Sequence, residues 1–599
     1  MTNKKYTVTL DQLAQNLTIT QTTTFSWKPS TVFQGDMEYE FLKEHRIGLY
    51  ERLGSRRNAS MDLIDALTCQ TGAQSVTDLS EQDQFVRQYA SVRDAIHYSS
   101  HEVTRLNQYL MEQGLLATPD LCINGINCKV LAVDSTPTPH AHAQCLADRT
   151  FVHDASNQVT GKPINIGHEY STVVGVTEEA CWVCPLQLER IPSTESPASF
   201  GMRQAIRVCE QSANPVIVLL DSHYNTADCR ITARASPSSP IAIVRSQCNR
   251  RYYLPAAPKP KPTRKPGRQK CYGERINFCE LTQGPSPDVA IKIVPEDEKG
   301  CLIALFWQTT YTKIKGMNGY EDPSALLVIY EFRADGTLKY QRPMVLRVFV
   351  PEQYSFFPAS LGACLYPFRF SIEHFFSAKK KHLLFGRFQS PEVQHQECFS
   401  LMGSLAYQQW YFAKMGGPVE WLMKPWHRYP KFQPKGEKLI PSHVQKGYSG
   451  VLRKIGTPST YCPPNNVPAG RSTGEKPERR AKQPVILKKK DKLRKATTEK
   501  SNAPSMDSAT KRSALEIVSQ TIERVTQRTA AAAGMLIVAI FFLLPGFFNN
   551  SVIYTQKSIS ASFELKALNS YGEVIASKTH QKDITQVHTG RSPPEKWLT

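Results

Sequence analysis

Two apolar runs in the first half of the chain each end on an aspartate: Cys128–Val133 (CKVLAV) leads into Asp134, and Pro215–Leu220 (PVIVLL) leads into Asp221. Runs this short and this rich in Val, Ile and Leu read as β-strands, and in an α/β sheet the strand ends are where ligand sites form. If the two strands are neighbours, the carboxylates converge. A pair of like charges persists most easily when divalent cations bridge it, and an oxygen-only donor set suits Mg2+ or Mn2+ rather than zinc. Taken singly, either aspartate has a commoner role, capping a strand or opening a turn.

Further strand-like runs lie at Ser171–Val176, Ala180–Leu186 and Ile241–Val244, and a helical pattern at about 200–212 precedes the run that ends at Asp221. Three strands close enough for a meander, then a helix and a fourth strand, predict an α/β layer of the ribonuclease-H type. This core is expected to begin at 126–255. Ahead of it, residues 1–125 carry helix-like spacing (Met61, Leu63, Ile64, Ala66, Leu67; then Val92, Ala95, Ile96) and predict a helical N-terminal, DNA-binding domain. Residues 256–350 predict a basic linker followed by a β-rich insertion (CLIALFW, ALLVIYEF and MVLRVFV), with Asp335-Gly336 as a hairpin turn. Helices of the catalytic core are expected over 351–440, and a disordered basic tail over 441–512, where charge and proline leave too little apolar surface to order the chain. Residues 513–550 follow as an amphipathic and then apolar helix, and 551–599 as a C-terminal tail.

Lys and Arg number 73 against 53 Asp and Glu, a formal net charge of +20. Such an excess favours a polyanionic partner, and nucleic acid leads among the candidates. Arg250, Arg251, Tyr252 and Tyr253 interleave cations with aromatics, and Arg264, Lys265 and Arg268 sit in an extended Pro-rich stretch similar to minor-groove-reading arms. A solvated loop explains both equally well. The 15 cysteines are scattered and odd in number, so a reducing compartment is expected and disulfides are not. Cys181 and Cys184 form a CxxC without a second pair and read as strand cysteines. His140, His142 and His153, with Cys145, match no zinc spacing and read as loop residues.

The segment YPFRFSIEHFFSAKK holds the third acid. On a helix beginning at Pro367, a favoured first helical residue, Arg369, Glu373 and Lys380 share a narrow sector with Tyr366 one turn before. Phe368, Ile372, Phe375 and Phe376 take the other side. A solvated helix face accounts for this. So does a site for metal-bound phosphate, with a carboxylate for the ion and cations for the DNA backbone.

Tyr366, Arg369, Glu373 and Lys380 resemble the Y-(2)-R-(3)-E-(6)-K signature of the insertion-sequence transposases, DDE enzymes, with no departure in spacing. Asp134, in LAVDSTP, is similar to that family's first aspartate. Asp221, in LLDSHY, is similar to its second, which is followed by Ser or Thr and an aromatic. The β-rich interval of 152 positions from Asp221 to Glu373 is similar to the family's insertion, and the resemblance covers about residues 30–440. It implies metal-dependent phosphoryl transfer on double-stranded DNA, at the element's terminal inverted repeats and at the target, with a dimer in the synaptic complex. By this resemblance Asp134, Asp221 and Glu373 are both catalytic and metal-binding. Asp134 bridges two Mg2+ or Mn2+ ions, Asp221 holds one and Glu373 the other. Tyr366, Arg369 and Lys380 contact DNA phosphates. Trp307, on the insertion, is either a base-stacking residue or, more ordinarily, a core tryptophan.

The N-terminus (MTNKKYTVTL) lacks a secretory apolar stretch, so a cytoplasmic, nucleoid-associated protein is expected. Residues 530–548 are uncharged and long enough to span a membrane, with Arg524 and Arg528 just before them. They read either as an attachment to the membrane or as a fused, read-through remnant behind a complete enzyme. Two other functions compete with an active transposase: an inactive or domesticated relative that only binds DNA, and a membrane-anchored basic protein. The second leaves the Tyr366–Lys380 spacing without a reason.

Overall fold

The computed structural model describes residues 25–34, 39–154, 161–257, 272–277, 285–293, 300–313, 322–417, 422, 439–461, 472–474, 476, 478–487 and the strands 553–568 and 574–590. Arg264, Lys265, Arg268 and the apolar stretch 530–548 lie outside the described residues. Met1–Lys492 form one compact unit and Leu493–Thr599 a second.

The first unit opens with a short strand, β1 (Phe25–Lys28), and four helices, α1 (Glu40–Arg52), α2 (Arg57–Cys69), α3 (Ala90–Ser99) and α4 (Val103–Ala117). The periodic residues Met61, Leu63, Ile64 and Leu67 are all fully buried. The helical expectation for this region therefore describes it well, with one addition. These helices share a core with the rest of the unit. A buried ion pair fixes them to it: Arg46 donates from Nη1 at 2.6 Å and Nη2 at 2.8 Å to the Asp65 carboxylate, and from Nη1 at 2.6 Å to Gln409, far along the chain.

The sheet follows. β2 (Asp120–Ile123), β3 (Ile126–Pro139), β4 (Thr150–His153), β5 (Ile164–Val176) and β6 (Val183–Arg190) lead to α5 (Pro197–Gln211), β7 (Val216–Leu220), α6 (Ala227–Arg234) and β8 (Ile241–Ser246). β6, β5 and β3 form the antiparallel meander; β7 lies parallel to β3 and β8 parallel to β7. The spatial order β6-β5-β3-β7-β8 thus contains the meander, helix and fourth strand expected from the sequence, as a mixed α/β layer. Val130–Val133 of β3 and Val216–Leu220 of β7 are apolar at every position because the sheet is covered on both faces. Val130, Ala132, Ile217 and Leu219 pack into one core, and Leu131, Val133, Val218 and Leu220 into another that includes Met202 and Ala205 of α5.

β9 (Tyr252–Pro255), β10 (Tyr272–Ile276), β11 (Val289–Ile293), β12 (Gly300–Thr312), β13 (Ser324–Arg333) and β14 (Met344–Phe349) make the insertion. It extends the main sheet: β14 pairs antiparallel with β8, so the ladder runs β8-β14-β13-β12 without a break. Asp335-Gly336 does turn the chain, with Gly336 at φ 78° and the Asp335 carboxylate accepting from the Thr337 N–H at 2.9 Å.

Two helices complete the catalytic region, α7 (Ser371–His382) and α8 (Val393–Met415), and α9 (Pro441–Ile455) follows them. α9 corrects the tail: an expected disordered segment over 441–512 begins instead with a packed helix. Val444, Tyr448 and Val451, at i, i+4 and i+7, are fully buried, and the Tyr448 hydroxyl bonds Gln409 at 2.9 Å. Charge and proline counts hid a narrow apolar stripe. Further on, Gln483 and Ile486 donate backbone N–H groups to Gln144 (2.9 Å) and Arg149 (2.7 Å), so this stretch lies along the core. In the second unit β15 (Ile553–Leu568) pairs antiparallel with β16 (Val574–Gly590), within the stretch read as the C-terminal tail. Among the described residues no helix is long and apolar enough to cross a membrane.

Candidate active site

Alternation along the strands decides where the two aspartates point. Asp134 continues the set Val130, Ala132, and Asp221 the set Ile217, Leu219; both sets face the core that contains α7. The register pairs Val133 with Leu220, the last pair of the parallel β3–β7 ladder, so the two aspartates follow it on the same face; β3 itself runs on to Pro139 against β5, which puts Asp134 within its strand and not at the end the sequence suggested. The Asp134 carboxylate accepts from the Ser135 N–H at 2.8 Å. Asp221 caps the 3-10 turn Ser222–Tyr224, accepting from the His223 N–H at 2.8 Å. It therefore caps a strand end, the commoner of the two readings of the sequence, and its charge also acts on Asp134.

The segment bearing Glu373 is not one continuous α-helix from Pro367. Tyr366–Phe370 form a 3-10 turn, and α7 begins at Ser371, which puts Glu373 in its first turn. The tighter winding swings Arg369 inward. It is 5% exposed and bridges two acids, with Nη1 3.3 Å from Asp134 Oδ2 and Nη2 2.7 Å from Glu373 Oε1. Arg369, expected at a DNA phosphate, thus stands as the counter-ion of the acid cluster. Tyr366, also expected at a phosphate, is fully buried, while Lys380 is exposed.

Burial pushes the Asp134 carboxyl up to about 6; the like charge of Asp221 adds to the rise, and Arg369 and the Ser135 N–H oppose it. This is the strain of a carboxylate pair short of positive charge. Among the described residues no group of three His, Cys, Asp or Glu is gathered closely enough to hold an ion; the acids are gathered around a guanidinium. Their chemistry nonetheless fits a hard divalent cation, since the donors are all oxygen and the repulsion that raises Asp134 is what such a cation relieves.

Other expectations resolve residue by residue. Arg251 is exposed; Arg250 is half-buried and donates to the Asn225 carbonyl at 3.2 Å. Tyr252 is buried against Ser246, and Tyr253 packs on Tyr272 with ring centroids 5.2 Å apart, so the aromatic half of that motif is internal. Trp307 is 1% exposed and donates its indole N–H to Ser286 at 3.1 Å, a core residue. His140 is buried against His168, not in an open loop; His142 and His153 are exposed. Cys184 is a buried strand residue, whereas Cys181 sits in the preceding turn.

Two residues beside the acids were missed. Glu169 on β5 accepts from the Ser135 hydroxyl at 2.7 Å; the strand was read as starting at Ser171, but it starts at Ile164. Tyr224 is 1% exposed, its hydroxyl has no hydrogen-bond partner among the described residues, and the charges acting on it are, first, Asp134 and Asp221. Its place three residues after Asp221 was the only signal. α5 makes room for it with Gly201: a Cβ there would sit 2.8 Å from Tyr224 Cε1 and 2.9 Å from Val133 Cγ1. Gly201→Ala is therefore expected to cost about 1–3 kcal/mol of stability through overpacking, read as a lowered urea midpoint at unchanged slope. An unchanged midpoint would show that the ring shifts freely.

An α/β sheet with two acids just beyond the end of a parallel ladder and a third acid on a covering helix is an arrangement that suits metal-dependent phosphoryl transfer. Residues 48–294 match the family described as DDE superfamily endonuclease, a stretch that includes Asp134 and Asp221 and ends before Glu373. This match supports a DDE endonuclease-like family. Among solved structures, the chain is similar to a piggyBac transposase in a synaptic complex with hairpin DNA, at 7% identity and a TM-score of 0.35, covering 75% of this chain and 90% of that one. No curated protein matches.

Proposed function

We propose that this chain is a DNA transposase of an insertion sequence, which binds the element's terminal inverted repeats and cuts and rejoins DNA strands with divalent metal. The observation that carries the reading is the convergence of Asp134 and Asp221 on one face of adjacent strands, tied through Arg369 to Glu373. The Y-(2)-R-(3)-E-(6)-K spacing supports the narrower assignment to insertion-sequence enzymes, and the net charge of +20 suits a DNA partner.

Asp134, Asp221 and Glu373 would hold two Mg2+ or Mn2+ ions. Such ions, when bound, activate a water or 3′-hydroxyl and stabilise the leaving oxygen. Asp134, neutral below about pH 6, must lose its proton to serve as a ligand. Arg369 holds the charge of Asp134 and Glu373 in the protein alone, and releasing them frees it for a phosphate. Lys380, exposed on the same helix, is free to reach the DNA backbone. We further propose a dimer in the synaptic complex and a cytoplasmic, nucleoid-associated location.

Cleavage of DNA bearing the element's ends, in Mg2+, tests this. Wild type cuts, and Asp134→Ala, Asp221→Ala and Glu373→Ala each lose roughly a thousand-fold, about 4 kcal/mol of transition-state stabilisation. A wild type that binds these ends but never cuts them would favour the non-cutting relative. Alanine variants that cut as well as wild type would remove the three acids from the chemistry.

A further inference from the structure

A groove of about 1550 Å³ opens beside the acids, lined by Ser222 next to Asp221, by Pro367 and Phe370 of the Glu373 segment, and by the far rim of the insertion. Its volume exceeds the roughly 300–1,000 Å³ of small-molecule sites, so its size suits a polymer. Its walls carry four cations, Arg245, Arg333, Lys339 and Arg342, against one acid, Glu331. Lys339 pairs with Glu331, and Arg333 is held to its own turn at Thr337 and Leu338. Arg245 and Arg342 are exposed and make no ion pair among the described residues. An uncompensated cationic groove beside a phosphoryl-transfer site recruits phosphates.

Cations alone do not separate duplex from single strand. The aromatics do. Phe370 is 40% exposed at the acid end, next to Arg369, and Tyr340 is 59% exposed at the rim. An exposed ring in a cationic groove offers a stacking face, which is useful only to a base that has left its own stack. Trp307, the residue the sequence singled out for that task, is buried and cannot perform it.

We propose that this groove binds an unpaired stretch of DNA strand running from the acids to the rim of the insertion, with bases stacked on Phe370 and Tyr340 and phosphates on Arg245 and Arg342. This rests on the transposase reading and deepens it: the substrate engaged here is a locally melted end. An enzyme so built prefers DNA ends that are already frayed, because opening the duplex costs a few kcal/mol per base extruded.

The test is fluorescence anisotropy of the full chain with a labelled single-stranded oligonucleotide of mixed sequence and with the same oligonucleotide annealed to its complement. Tyr340→Ala and Phe370→Ala are each expected to weaken the single strand roughly ten-fold while leaving the duplex within two-fold, and Tyr340→Trp to restore binding. Arg245→Ala and Arg342→Ala are expected to weaken both probes and to lower the salt slope by about 0.7–0.9 each. Tyr340→Ala and Phe370→Ala variants that bind the single strand as wild type does, or that lose both probes equally, overturn the proposal. Tyr340 lies at the rim, away from the acids, so its variants report even if Phe370→Ala disturbs the turn beside it. Failure of the transposase reading would appear separately, as a wild type without Mg2+-dependent cutting or as acid variants that still cut.

Discussion

Asp134→Asn is expected to yield a protein that is catalytically dead and, without metal, more stable than wild type at neutral pH. The sign follows from the direction of the shift. Asp134 titrates near 6 in the folded protein and near 3.9 in an unfolded chain, so the folded state holds its proton more tightly. Above about pH 6 the ionised native carboxylate weakens the fold, by about 3 kcal/mol for a rise of about two units. The weakening fades as pH falls through 6 and is gone below about 4. Asparagine removes the charge at constant shape. In EDTA at pH 7.5 the variant should melt several degrees above wild type, and the difference should vanish by pH 4. Saturating Mn2+ should reverse the order, because only wild type gains from binding. A variant less stable than wild type at pH 7.5 in EDTA would mean that its contact with Arg369 outweighs burial and the repulsion from Asp221.

Arg369→Ala is expected to produce the opposite shift, a loss of about 3–5 kcal/mol without metal. Arg369 is 5% exposed and is the cation held between Asp134 and Glu373. Its removal leaves a buried carboxylate beside a second one. Most of the loss belongs to Asp134, since the Glu373 side chain is 56% exposed and water already screens it. Arg369→Lys, which keeps charge but cannot reach both acids with a planar fork, should fall between. Mn2+ should recover part of the deficit in the alanine variant, as the ion takes over the missing positive charge. Thermal melts across a Mn2+ titration measure this. Equal melting of Arg369→Ala and wild type without metal would remove the counter-ion role.

The parts of the fold legible in the sequence were those fixed by local pattern. The centres of β3, β7 and β8 announce themselves as apolar runs because both faces of the sheet are covered, and two of these runs deliver Asp134 and Asp221 to the end of the β3–β7 ladder, although β3 itself continues to Pro139. What local pattern could not supply was anything set by register or by winding. The Tyr366–Lys380 spacing is compatible with an α-helix throughout, but the first five residues wind as a 3-10 turn, and that difference moves Arg369 from an exposed face to the centre of the site. Glu169 and Tyr224 join the acids through strand pairing and a short turn, which no single-segment spacing records. α9 was missed for a third reason: its apolar stripe is three residues wide in a stretch where Lys and Pro dominate the count.

On the proposed transposase function, the unbroken ladder from β7 through β8, β14 and β13 to β12 bears on how a DNA substrate would be accommodated. Hydrogen-bonded strands packed on both faces behave as a single stiff plate, so the rim of the insertion cannot swing relative to the acids as a hinged lid would. Compliance has to come from elsewhere. Duplex DNA bends through 40–90° for roughly 1–6 kcal/mol, which makes the DNA the softer body, and sequences that kink or fray readily should be the ones this rigid surface selects.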